Sequence, residues 1–165
     1  MRILWIILPI LAVGAVVFLI YSHRTAFRPG TRALVLDLPT GWYEVPGESP
    51  RAFRSGNPDS GILQISLLPP PDREIPGNAG VEEQLERLLD GLDMELGERL
   101  SLTSEKARSG IVATALYKRP KHGLVQYWLI PGEVTIFATY TMGNPGNATA
   151  EFAQAAKIMK TAGFQ

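Results

Sequence analysis

The sequence contains no cysteine. Disulfides, thiol nucleophiles and thiolate metal sites are excluded outright. Histidine is nearly absent as well. His23 and His122 are the only two, so a multi-histidine metal centre cannot be assembled. No excess of charge exists in either sign: 16 lysines and arginines meet 16 aspartates and glutamates. This balance removes the electrostatic case for nucleic acid as the main partner. The chain also lacks a phosphate-binding glycine loop, a Gly-x-Ser-x-Gly elbow and a His-Glu-x-x-His helix. No catalytic residue, cofactor site or metal site is therefore assigned from the sequence.

What the chain does have is a long uncharged run at its start. Residues 3–21 read ILWIILPILAVGAVVFLIY, nineteen positions without a charge. At about 1.5 Å per residue, a helix of that length crosses roughly 30 Å of hydrocarbon. A secretory signal has a shorter apolar core and a small-residue cleavage site after it. Here Ser22, His23 and Arg24 follow, and Ala12, Gly14 and Ala15 lie inside the run. Trp5 and Tyr21 stand near its two ends, where amphipathic rings favour the interface. The expectation is an uncleaved single-pass transmembrane anchor over residues 1–22, a juxtamembrane linker over 23–32 and one globular domain over 33–165. The flanking Arg24, Arg28 and Arg32, taken alone, place the domain in the cytoplasm. A short N-terminal tail leading straight into the apolar core instead resembles a signal-anchor, and the domain is expected on the extracytoplasmic side.

Downstream, the periodicity changes. Short strands are expected over 33–38, 42–45, 51–54 and 62–67, the last with Leu63, Ile65 and Leu67 on one face. A proline-rich connector runs from Pro69 to Gly80. A helix is expected over 81–96, with Val81, Leu85, Leu88, Leu89, Leu92 and Leu96 as its apolar stripe. Asn78 is its expected N-cap and Gly97 its stop. The acidic residues opposite, among them Glu82, Glu86, Asp90 and Asp93, read as a solvated face, because carboxylates on a straight helix do not converge on a cation. Four further strands, near 100–107, 111–118, 124–130 and 134–142, have connections short enough for an antiparallel meander. One face of that sheet is expected to be buried and the other partly wet. A closing helix covers 148–162, with Asn147 or Thr149 as cap and Gly163 as terminator. The fold class is α+β: an antiparallel meander sheet with two main helices packed on it.

The stretch Leu38-Pro39-Thr40-Gly41-Trp42 resembles the proline-x-glycine-tryptophan opening of PsbP-like domains. The order of elements over residues 33–164 resembles that group too, with a helix before a four-strand meander and a helix at the close. The resemblance implies an αβα arrangement around an antiparallel sheet. It also implies a binding or accessory role, and it carries over no catalytic residues. The chain departs from the lipoprotein members in having no cysteine to acylate.

Two candidate interaction surfaces follow. One is the basic tip with Lys118, Arg119, Lys121 and His122, suited to lipid headgroups or an acidic partner at about 1 kcal/mol per basic side chain near an anionic surface. The other is the aromatic pair Trp42 and Tyr43, although aromatics in early strands are more often core. The expected function is a membrane-tethered, non-catalytic binding or accessory domain that meets a protein partner or small ligand near the bilayer. Two alternatives stay open: a hydrolase-like envelope enzyme using scattered carboxylates and hydroxyls, with Asp37, Glu44 and Asp59 among them, and a purely structural envelope protein.

Overall fold

Strand β8 explains the architecture best. In Thr135–Thr141 successive side chains point to opposite faces, and six of the seven residues are buried. A strand wrapped on both sides needs cover on both sides. The computed structural model, which describes residues 33–57, 59–70, 77–92, 95–120, 123–142 and 148–165, supplies it with one helix per face. The transmembrane anchor and linker expected over 1–32 lie outside the described residues. Among those described, no helix is long and apolar enough to cross a membrane.

The elements run β1 (Leu34–Val35), β2 (Trp42–Val45), β3 (Arg51–Ser55), β4 (Ile62–Leu68), α1 (Gly77–Asp90), β5 (Glu98–Ala107), β6 (Gly110–Arg119), β7 (Gly123–Ile130), β8, α2 (Ala148–Thr161) and β9 (Gly163–Phe164). Strands β2 to β8 form one seven-stranded antiparallel sheet in the order β2-β3-β4-β8-β7-β6-β5. The expected meander is the β5–β8 half. Helix α1 carries the chain across the sheet, so that β4 pairs with β8 from Ile62↔Thr141 to Leu68↔Thr135.

Helix α1 buries Val81, Leu85 and Leu89, and the chain just past its end buries Leu92, against Ala113, Ala115, Tyr127, Leu129 and Phe137. Leu88 and Leu96 pack at the margin of this layer, so the predicted stripe is the packed one. Full burial of one such leucine contributes about 1.5–3 kcal/mol. Helix α2 buries Ala155, Ile158 and Met159, and the next residue Ala162, on the opposite face, against Ile65, Trp128, Ile130, Ile136 and Ala138. The expected wet face is thus covered. Phe137, the residue that interrupts the polar side of β8, stacks with Tyr127 at 6.3 Å. It is the seed of the second core.

Several expected boundaries move. Helix α1 starts at Gly77, inside the expected connector, so Asn78 is its second residue. It ends at Asp90, before the expected stop. Gly97 instead adopts φ +84 at the start of β5, where a Cβ would lie 2.3 Å from the Lys118 carbonyl oxygen. Thr149 is the second residue of α2, and Asn147 lies outside the described residues. Gly163 begins a strand rather than ending the helix. It pairs with Val35, and β1 with β9 makes a separate two-stranded clasp. Ala33 and Gln165 extend the clasp with reciprocal backbone hydrogen bonds of 3.2 and 3.1 Å.

Candidate functional site

The Pro39-Thr40-Gly41-Trp42 stretch is a tight turn. The Trp42 amide donates to the Pro39 carbonyl at 3.0 Å, and Gly41 has φ +85. A positive φ at the third position of such a turn favours glycine. The turn delivers Trp42 to the face under α2, where it is 8 % exposed. Its indole Nε1 donates to Gln154 Oε1 at 2.8 Å. Helix α2 is thereby tied to the start of the sheet.

The loop between β3 and β4 meets the same place. The Asp59 amide donates to Asn57 Oδ1 at 3.1 Å, and the Ser60 amide to the Asn57 carbonyl at 3.0 Å, an Asx-supported turn. Gly56 donates its amide to the Gly41 carbonyl at 2.7 Å, joining the two turns. The loop hands the chain to Gly61, whose buried amide donates to Tyr140 Oη at 3.0 Å and to Glu151 Oε2 at 3.1 Å. Tyr140 in turn donates its hydroxyl to the same Oε2 at 2.5 Å. One carboxylate oxygen thus gathers β4, β8 and α2.

Between these parts lies a cleft of about 420 Å³, within the usual range for small-molecule sites. Trp42, Asn57, Glu151 and Gln154 line it, with Thr40 and Ser55 beside them. Glu151 is 7 % exposed, and its second oxygen, Oε1, is buried with no hydrogen-bond partner among the described residues. Such an atom forfeits solvation worth about 1–3 kcal/mol or more. Burial, then the hydrogen bond and the charge of Glu151, push the Tyr140 hydroxyl far above its ordinary value of 10.0. Tyr140 is therefore a fixed donor at neutral pH, not a base.

A Tyr140→Phe variant should consequently lose about 1.5–3 kcal/mol at neutral pH, the worth of a hydrogen bond to a charged group. The sign with pH follows from the raised folded value. The unfolded tyrosine ionises near 10 while the folded one stays neutral, so the stabilisation is complete below pH 10 and declines above it. Urea midpoints measured from pH 7 to about 11 should fall on the alkaline side, and less so in the variant. Equal alkaline slopes would refute this assignment.

The sequence-derived candidates separate. Trp42 belongs to the cleft. Tyr43 points to the other side of β2 and is 51 % exposed. Lys118 is exposed at the end of β6, and Arg119 donates its Nε to the Glu95 carbonyl at 3.0 Å. Strands β4, β8 and β7 stand between them and the cleft. Lys121 and His122 lie outside the described residues. Asp37, Glu44 and Asp59 do not converge. Asp37 faces Arg108 at 3.8 Å, and Glu44 takes both prongs of Arg51 at 2.6 and 2.7 Å. That hydrogen-bonded fork lowers the Glu44 carboxyl below its ordinary value. Asp59 is exposed on its loop. The acidic side of α1 is engaged in ion pairs, Glu83 with Arg87 and Glu86 with Arg99. Among the described residues, no three potential metal ligands gather.

Glu151, Tyr140, Gly61 and Gln154 escaped the sequence reading. One signal was present: Glu151 lies four residues before Ala155 on the apolar stripe of α2, an acid where the pattern calls for a hydrophobe.

No protein-family model matches the chain, and no curated protein does. Solved structures do resemble it. The cyanobacterial PsbP protein CyanoP of Synechocystis sp. PCC 6803 is 11% identical, with a TM-score of 0.52 over 86% of this chain and 98% of that one. LpqN of Mycobacterium tuberculosis, described as involved in cell envelope biogenesis, is 12% identical, with a TM-score of 0.54 over 85% of this chain and 87% of that one. At such identities the likeness is one of fold, and the chain carries a PsbP-like α+β fold.

Proposed function

We propose that the protein is a non-catalytic binding or accessory domain, held at a membrane by residues 1–22, with its ligand taken in the cleft between Trp42, Asn57 and Glu151. The observation that carries the reading is the partnerless Oε1 of a glutamate 7 % exposed on the wall of that cleft. A buried acceptor left open is a place for a donor from outside. The nineteen uncharged residues at 3–21 support the tether. The PsbP-like fold is compatible with an accessory role. An extracytoplasmic position for the domain is part of this proposal.

Fractionation tests the tether. The full chain should stay in the membrane pellet after alkaline carbonate washing, and deletion of residues 1–22 should release it. Release of the full chain by carbonate would remove the anchor from the reading. A phosphatase fused after Gln165 should be active for an exported domain. A silent phosphatase together with a fluorescent cytoplasmic reporter at the same position would reverse the orientation.

A further inference from the structure

The cleft at Glu151 has a chemical bias that narrows its ligand. Among the described residues, its lining contains a single ionisable side chain, Glu151 itself. That charge is already compensated. Oε2 receives the Gly61 amide and the Tyr140 hydroxyl, and Glu151 lies in the first turn of α2, at the positive end of the helix dipole. What Oε1 lacks is a hydrogen-bond donor, not a counter-charge. The other polar groups on the wall are neutral and have capacity left. Gln154 spends only its oxygen, on Trp42, and Asn57 spends its side-chain oxygen on the Asp59 amide. Both amide NH₂ groups keep donors for a ligand oxygen. Thr40 and Ser55 add hydroxyls.

An anion would face the carboxylate. A hard divalent cation needs six or more oxygens, of which the cleft offers one carboxylate. An organic cation would find the attraction of Glu151 weakened by the helix terminus and the two donors on Oε2, and would offer nothing to the free Asn57 and Gln154 amides. A neutral compound carrying several hydroxyls meets every requirement, because each hydroxyl both donates and accepts. We infer that the cleft binds a neutral polyhydroxylated ligand, one hydroxyl donating to Glu151 Oε1 while its neighbours accept from the Asn57 and Gln154 amides. This rests on the binding-domain reading above and specifies its ligand class.

The test uses the full chain, isotope-labelled, in a zwitterionic detergent without a sugar headgroup. The Gly61 amide and Trp42 indole resonances report on the cleft. The probes are D-glucose, myo-inositol, ethylammonium chloride and sodium phosphate. A polyol is expected to shift both resonances saturably. Glu151→Gln should weaken that binding about tenfold, since the charge-assisted bond is lost. Gln154→Ala, a change on an exposed side chain, should weaken it several-fold and serves if Glu151→Gln does not fold. Unchanged saturation in the variants would overturn the inference. A response to ethylammonium or phosphate alone would overturn the ligand class but leave the cleft a binding site. No response to any of the four would remove the cleft from the functional reading as well, and the tether would then stand on fractionation alone.

Discussion

Gly61→Ala is expected to cost about 3 kcal/mol or more, the upper range for forcing extra atoms into a packed site. An added Cβ would lie 2.2 Å from the Thr141 carbonyl oxygen and 2.6 Å from Cζ and Oη of Tyr140. None of these atoms can retreat cheaply. Thr141 pairs with Ile62 on one side and Val125 on the other, so its backbone is fixed by two neighbouring strands. The Tyr140 ring is 0 % exposed and packs against Trp42 at 6.2 Å and Phe152 at 5.5 Å. Any shift that admits the methyl group also breaks the hydrogen bonds of the Gly61 amide. Gly47 is the control. It has φ +77 but open space around it, so alanine there meets backbone strain alone, about 1 kcal/mol. Denaturant midpoints of the two variants give the comparison. A Gly61→Ala loss no larger than that of Gly47→Ala would mean that the β4 terminus can move aside, and the tight convergence on Glu151 would be misjudged.

Trp128→Ala should be comparably severe, about 3–5 kcal/mol. Trp128 is 1 % exposed on an interior strand, paired with Thr114 and Ala138. It belongs to the core shared with Ile158 and Met159 of α2. Alanine would leave a cavity that neither the sheet nor the helix can close without breaking its own ladder. Tyr43→Ala, at 51 % exposure, should change stability by no more than about 0.5 kcal/mol. The pair is read by urea unfolding, with unchanged m-values expected. A mild Trp128→Ala effect would show that α2 can settle onto the sheet.

Periodic elements were legible in the sequence because their signals are local. The Leu63, Ile65 and Leu67 face of β4 and the leucine stripe of α1 each survive in the packed structure. The ends of α1 were legible only in part: the helix starts one residue before Asn78, but it stops at Asp90, well before Gly97, whose positive φ serves the start of β5 instead. The two-sided burial is half visible: Phe137 interrupts the alternation of polar residues along β8, and it packs in the second core. The cleft was the least legible part. Its bonds join residues separated by 79, 90 and 112 positions, and no local pattern encodes such meetings. Trp42 was singled out, but with Tyr43, its neighbour on the opposite side of the strand. Only an acid on an apolar stripe pointed toward Glu151.

The β1–β9 clasp decides how the domain meets mechanical tension. A pull entering at Ala33 reaches the reciprocal Ala33–Gln165 bonds first, then the pairs Leu34↔Phe164 and Val35↔Gly163. These open in sequence, like a zipper, and belong to a sheet separate from the seven strands. The clasp is thus a mechanical fuse. Its pairs can part without breaking a ladder of the seven-stranded sheet.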